Sequence, residues 1–202
     1  MFGNRKPDRK KKRKKDDVWG QVANRFGGER VMDRKGRNLK EVRFDIGGWK
    51  VVLDTTVEST GESSQSYTRL RGLYTEKQEF RFRAYTKSVF SGLGKALGMQ
   101  DIEVGHPKVD DRWIIKADSV GRIRSLMILP EVAEGLSRAK SGRLESRRHK
   151  RSMPTIRELR FQMLGIITEE GVIEASVAMM FAALAHLKRS GIAQPEPPDV
   201  TL

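Results

Sequence analysis

The stretch EVRFDIGGWKVVLDTTVES, residues 41–59, decides the fold class. Its apolar residues alternate with polar ones on both sides of a central glycine pair, and a period of two belongs to a strand with one buried face. Gly47 and Gly48 stand where the chain must reverse, and paired glycines accept the positive φ of a tight hairpin turn. The segment therefore predicts two antiparallel strands, Glu41–Ile46 and Trp49–Glu58.

Working outward, SYTRLRGLYT (66–75) and EFRFRAYT (79–86) predict a second antiparallel pair around EKQ. Phe80, Phe82 and Ala84 would share one face, with Arg81, Arg83 and Tyr85 on the other. DDRWIIKAD (110–118) reads as a further strand. SVGRIRSLM reads as a short helix capped by Asp118 or Ser119, and PEVAEGLSRAK as another with Pro130 in its first turn. GRLESRRHKRSMPT predicts a strand end and a mobile loop at 147–151, and IRELRFQMLGIIT the last strand. In EEGVIEASVAMMFAALAHLKRSG, Ile173, Val177, Met180, Phe181, Leu184 and Leu187 keep helical spacing. Strands followed by helices, without βαβ alternation, predict an α+β fold: an antiparallel sheet with helices, including a long C-terminal one, packed on one face.

Upstream, Val18, Trp19, Val22 and Phe26 predict a short helix ended by Gly27–Gly28. Residues 1–17 hold nine Lys/Arg against three Asp, a balance of +6, and predict a disordered basic arm. The remaining 31 Lys/Arg against 23 Asp/Glu still leave +8 of the total +14, so both parts favour a polyanion. The organisation expected is an arm at 1–17, one domain at 18–190 and a proline-rich tail at 191–202.

Cysteine is absent, which excludes disulfides and thiolate chemistry and fits a reducing, cytoplasmic setting. No secretory h-region follows the basic start, and the apolar run Ala175–Ala185 is shorter than the ~20 residues that span a bilayer. No transmembrane segment is expected.

SGLGKALGMQDIEVGHP (91–107) carries Gly92, Gly94 and Gly98, a spacing that misses the dinucleotide fingerprint by one residue, and Lys95 is not followed by Ser or Thr. It reads as a connector between the hairpins and the strand at Trp113. Asp101, Glu103, His106, Asp110 and Asp111 match no metal-site spacing. His106, His149 and His186 are scattered, so no catalytic residue, cofactor or metal is assigned and no enzymatic activity is expected.

The candidate polyanion-binding residues are of two kinds. Lys10, Lys11, Lys12, Arg13, Lys14 and Lys15 form the arm, whose charge suits anionic lipid or nucleic acid equally, or only solubility. Arg69 and Arg71 with Tyr67, and Arg81 and Arg83 with Tyr85, form a basic sheet face if their strands pair. The bland alternative is an ordinary solvated face, with Arg opposing Glu or Thr across strands.

WKVVLDTTVESTGESSQSYTRLRGLY (49–74), FSGLGKALGMQDIEVGHPKVDDRWIIKADS (90–119) and ELRFQMLGII (158–167) together resemble a family of uncharacterised bacterial domains, over roughly residues 18–187. Some relatives in that wider group carry membrane-spanning segments ahead of a similar domain. This chain has a basic arm there instead. The resemblance implies no activity and no site residues. The expected function is that of a non-enzymatic accessory or binding module whose arm contacts a polyanion such as the inner membrane surface. The alternative is nucleic-acid binding through the arm and the basic face.

Overall fold

The computed structural model describes residues 9–59, 64–87, 101–149, 154–194, 196 and 198. Gly47 and Gly48 take φ of +61° and +82°, and the turn they make joins β2 (Leu39–Ile46) to β3 (Trp49–Ser59). The other described strands are β1 (Glu29–Met32), β4 (Ser64–Thr75), β5 (Phe82–Thr86), β6 (Trp113–Ala117), β7 (Gly142–Arg148) and β8 (Ile156–Leu164). They form one antiparallel sheet in the order β1-β2-β3-β4-β8-β7-β5-β6.

One apolar row crosses seven of these strands. Val42, Leu53, Leu70, Phe161, Leu144, Ala84 and Ile115 are register partners in succession, and each is fully buried. Helices cover this face: α1 (Arg9–Arg25), α3 (Val120–Met127), α4 (Pro130–Arg138) and α5 (Glu170–Arg189), with a one-turn α2 (Pro107–Asp110) in a connection. The protein is thus α+β, with its long C-terminal helix laid on the sheet. Ile173, Val177, Met180, Leu184 and Leu187 face the core as their spacing predicts, joined by Met179 and Ala183. Gly72 lets α5 approach β4, since a Cβ there would lie 2.7 Å from Leu184 Cδ1.

The strand pairing differs from the expected second hairpin. β4 and β5 do not pair; β8 and β7 lie between them. The connection 76–81 is long enough for this, because six extended residues reach ~20 Å while three strand spacings need ~14 Å. It is anchored along the way: Lys77 and Gln78 N–H donate to Ile192 O at 2.7 and 3.2 Å, and Arg122 donates to the Glu79 carbonyl at 2.9 Å.

Both ends of the domain extend beyond the expected boundaries. The helix expected at Val18 begins at Arg9, so residues 9–17 of the arm are helical, and residues 1–8 lie outside the described residues. The physical cause is Lys15. Its stem crosses Trp19, with Nζ 4.7 Å from the ring centroid, and its ammonium donates to Leu39 O at 2.7 Å. Asp16 accepts from Leu39 N at 3.2 Å, which fixes one more turn against β2. Once Trp19, Val22 and Ala23 are buried, each added lysine propagates an existing helix and incurs no nucleation cost. At the other end, Ile192 and Ala193 are buried, and Gln194 N donates to Thr75 O at 2.9 Å. The expected tail therefore begins inside the fold. The glycines of the 91–107 connector, Gly92, Gly94 and Gly98, lie outside the described residues.

Candidate functional site

Displaced by one residue from the apolar row are two polar rows, on the face of the sheet opposite the helices. One runs Glu41, Asp54, Arg69, Gln162, Arg143 and Tyr85; the other runs Arg71, Arg160, Glu145, Arg83 and Lys116. Arg69, Arg71 and Arg83 do share this face, as their alternation predicts. They do not form an open basic platform. Asp54 takes Arg69 in a two-pronged bond, 2.8 Å on each oxygen, and Arg71 Nη2 at 2.7 Å. Burial is the largest single influence on Arg69 and opposes its charge, but the bond to Asp54 together with the negative charges of Asp54, Glu158 and Glu58 outweighs it, and the pKa is raised. Arg83 Nε donates to Glu145 at 2.9 Å, and Glu145 also draws Arg143 and Arg147. Arg160 is paired with Glu158, and Gln162 donates to Glu58 at 2.8 Å. Arg81 precedes β5, exposed and paired with Glu79, three strands away from Arg69 and Arg71.

Glu opposite these arginines is part of the bland alternative, but the identity of the carboxylates is what the sequence reading misses. Asp54, Glu145 and Glu158 are all below a tenth exposed, and they hold the guanidinia in the plane of the sheet. A signal for them exists: period two in RLESRR and in RELRFQ places Arg143, Glu145 and Arg147, and Glu158, Arg160 and Gln162, on single faces. Tyr67 is half-buried and Tyr85 buried, so neither offers a stacking surface.

The arm residues are differently placed. Lys10, Lys11, Arg13 and Lys14 are exposed on the first turns of α1, Lys12 is helical there, and Lys15 is turned inward and buried. Arg13, Lys14 and Lys11 stand on a helix with no acidic residue in its first turn. Its partial positive dipole end and its like charges at i,i+3 therefore oppose one another's presence. An anion against this surface relieves both. Asp17 is the one exposed carboxylate of the helix.

Other polar clusters serve the fold. Asp110 accepts from the N–H groups of Val104, Gly105 and His106 at 2.9–3.0 Å, so it closes the turn into α2. Among the described residues no group of His, Asp and Glu is disposed to hold a metal. His186 Nε2 lies 3.1 Å from Ser125 Oγ between α3 and α5, its pKa lowered by burial and by Arg189. Among the described residues no carboxylate is hydrogen-bonded to it to complete a triad. Tyr74 is fully buried with its hydroxyl 2.6 Å from Ser146 Oγ, beside Arg157.

Burial pushes the Tyr74 phenol up to about 12. Because the folded value is raised, its contribution to stability is whole below pH ~10 and is lost as pH rises toward 12. In an ultraviolet titration the Tyr74 phenol should ionise about two units above the usual phenol value, and Tyr74→Phe should abolish that late step. A single transition near 10 in the wild-type protein would contradict the buried placement.

One described helix, α5, is long and apolar enough to cross a membrane by length and composition, although its apolar side is spent on the core. No family model, curated protein or solved structure matches the chain.

Proposed function

We propose that the protein is a non-enzymatic binding module that docks on an anionic membrane surface through the exposed basic turns of α1. The observation that carries this reading is the division within one helix: Trp19, Val22 and Ala23 are locked in the core while Lys10, Lys11, Arg13 and Lys14 stand outside it. Such a helix presents its charge from a fixed position, so binding does not require the ordering of a loose arm. The sheet-face arginines support nucleic-acid contact less well, since Asp54, Glu145 and Glu158 already engage them. An anionic cytoplasmic leaflet attracts each nearby Lys or Arg by ~1 kcal/mol and needs no groove or stacking platform.

Vesicle co-sedimentation tests the reading. Binding should rise with the fraction of phosphatidylserine, fall with salt, and drop at least ~10-fold in K10Q/K11Q/R13Q/K14Q, a conservative margin on that per-residue attraction. Helix content should also rise slightly on anionic vesicles as repulsion in the first turns is relieved. Equal binding to neutral and anionic vesicles, or an unaffected quadruple variant, would sink it.

A further inference from the structure

The antiparallel order places particular chain segments at one end of the sheet. There β1 and β3 finish, β2 and β4 begin and β8 finishes, as the pairs Met32↔Leu39, Ser59↔Ser64 and Thr68↔Met163 show. Resting on the reading that α1 meets an anionic surface, we infer that this whole end of the sheet is the membrane-contacting surface, with the β1–β2 tip as its second basic cluster.

The tip contains Arg34, Lys35 and Arg37, followed by Lys40 at the start of β2, and all four are exposed. Its shape is fixed from within. Asp33 accepts from Lys35 N at 3.2 Å, from Arg37 N at 2.9 Å and from the Asn38 amide, and Asp33 N donates to Asn38 O at 2.8 Å. Gly36 supplies the positive φ, +63°, that the turn requires. The Asn38 bond, with those from the backbone of Arg37, Asn38 and Lys35, holds the Asp33 carboxyl down at about 2. The tip's one carboxylate is therefore turned onto its own backbone while its cations face outward.

α1 is tied to the same place. Lys15 donates to Leu39 O and Leu39 N donates to Asp16, so the helix passes the first residue of β2. From Lys15 back to Lys11 the helix rises ~6 Å. The tip stands roughly two extended residues beyond Leu39, also ~6 to 7 Å. The two basic clusters thus lie within a similar chain distance of one anchor point, Leu39.

The same end carries exposed apolar side chains. Met32, Val57 and Leu164 are 44, 64 and 45 % exposed, and they are three of the five large hydrophobic residues that stand exposed among the described residues. Basic residues set among exposed aliphatic ones suit a bilayer interface, which takes both. A nucleic acid takes the charge but gains little from Met, Val and Leu, and none of those five residues is an aromatic on which a base could stack.

The test uses the full chain and two readouts. R34Q/K35Q/R37Q, with α1 intact, should bind phosphatidylserine vesicles ~10-fold more weakly at an unchanged urea midpoint. The chain has no cysteine, so Met32→Cys, Val57→Cys and Leu164→Cys each give a unique attachment point for an environment-sensitive dye. These three labels should shift to the blue on anionic vesicles. A label at Lys50→Cys, exposed beside the Gly47–Gly48 turn at the opposite end, should not. Wild-type binding by the tip variant, or an equal response at Lys50, overturns this inference even when the α1 variant loses binding. Absence of vesicle binding in the wild-type chain, or loss in both variants of affinity for duplex DNA alone, overturns instead the membrane reading on which it rests.

Discussion

Asp54→Ala should lower the free energy of unfolding by about 3–5 kcal/mol in urea at neutral pH, the range for breaking a buried charge pair from one side. Asp54 is the single carboxylate between two guanidinia: it accepts both prongs of Arg69 and a third bond from Arg71. The side chains of Asp54, Arg69 and Arg71 are only 10, 17 and 14 % exposed, so water compensates poorly when the acid is removed. The loss is aggravated one strand further on, because Arg71 stands directly opposite Arg160 across β4 and β8. Like charges so placed destabilise a sheet unless something neutralises them, and Asp54 and Glu158 do so from either side. Arg71 Nε is already buried without a hydrogen-bond partner. A second variant separates charge from packing: in Asp54→Leu with Arg69→Met both charges leave together, and the loss should be much smaller than for Asp54→Ala. A change below about 0.5 kcal/mol in Asp54→Ala, the scale of an ordinary surface substitution, would show that the cluster is solvated and leave the sheet-face arginines free to bind an external anion.

That cluster also shows where the sequence ceased to be informative. Period two assigns Arg69, Arg71 and Arg83 to a face, and the structure keeps them on it, because alternation is fixed by the pleat of each strand alone. Which strand lies beside which is not a local property. β4 and β5 are neighbours in the chain, yet the connection 76–81 spans two intervening strands, and the acids that neutralise the arginines come from β3, β7 and β8. β2 and β3 were legible as a pair because Gly47–Gly48 leaves no room for an excursion between them. β1 was not: its four residues show no alternation of burial, so the turn at 33–38 and the basic residues it presents had no strand to be attached to. The arm was legible in charge but not in shape. Lysines at 10–15 mimic a disordered run, and only the i,i+4 relation of Lys15 to Trp19 signals that the helix continues through them.

A different position tests the packing that holds this framework together. Gly135→Leu should destabilise the protein by about 3 kcal/mol or more, at the upper end of what overpacked cores show. Gly135 lies on the buried side of α4 with Val132, Ala133 and Leu136, against Met179 and Ala175 of α5. A Cβ there would stand 2.7 Å from Met179 Cβ, 2.8 Å from its sulfur and 3.1 Å from the Ala175 carbonyl oxygen. The methionine sulfur can swing away, but the Met179 Cβ and the Ala175 carbonyl are fixed to the α5 backbone, so the helices must separate. Intrinsic propensity runs the other way, since alanine is favoured over glycine within a helix by about 1 kcal/mol. Gly121 supplies the comparison: it is also helical, in α3, and nothing lies within 4 Å of a Cβ built on it. Gly121→Ala should therefore raise Tm by a few degrees at most, as propensity alone predicts for a chain of 202 residues, while Gly135→Ala should lower it. Should Gly135→Ala stabilise the protein as Gly121→Ala does, α4 and α5 would be loosely packed there. The apolar row beneath them would then have a more mobile cover than the distances at Gly135 require.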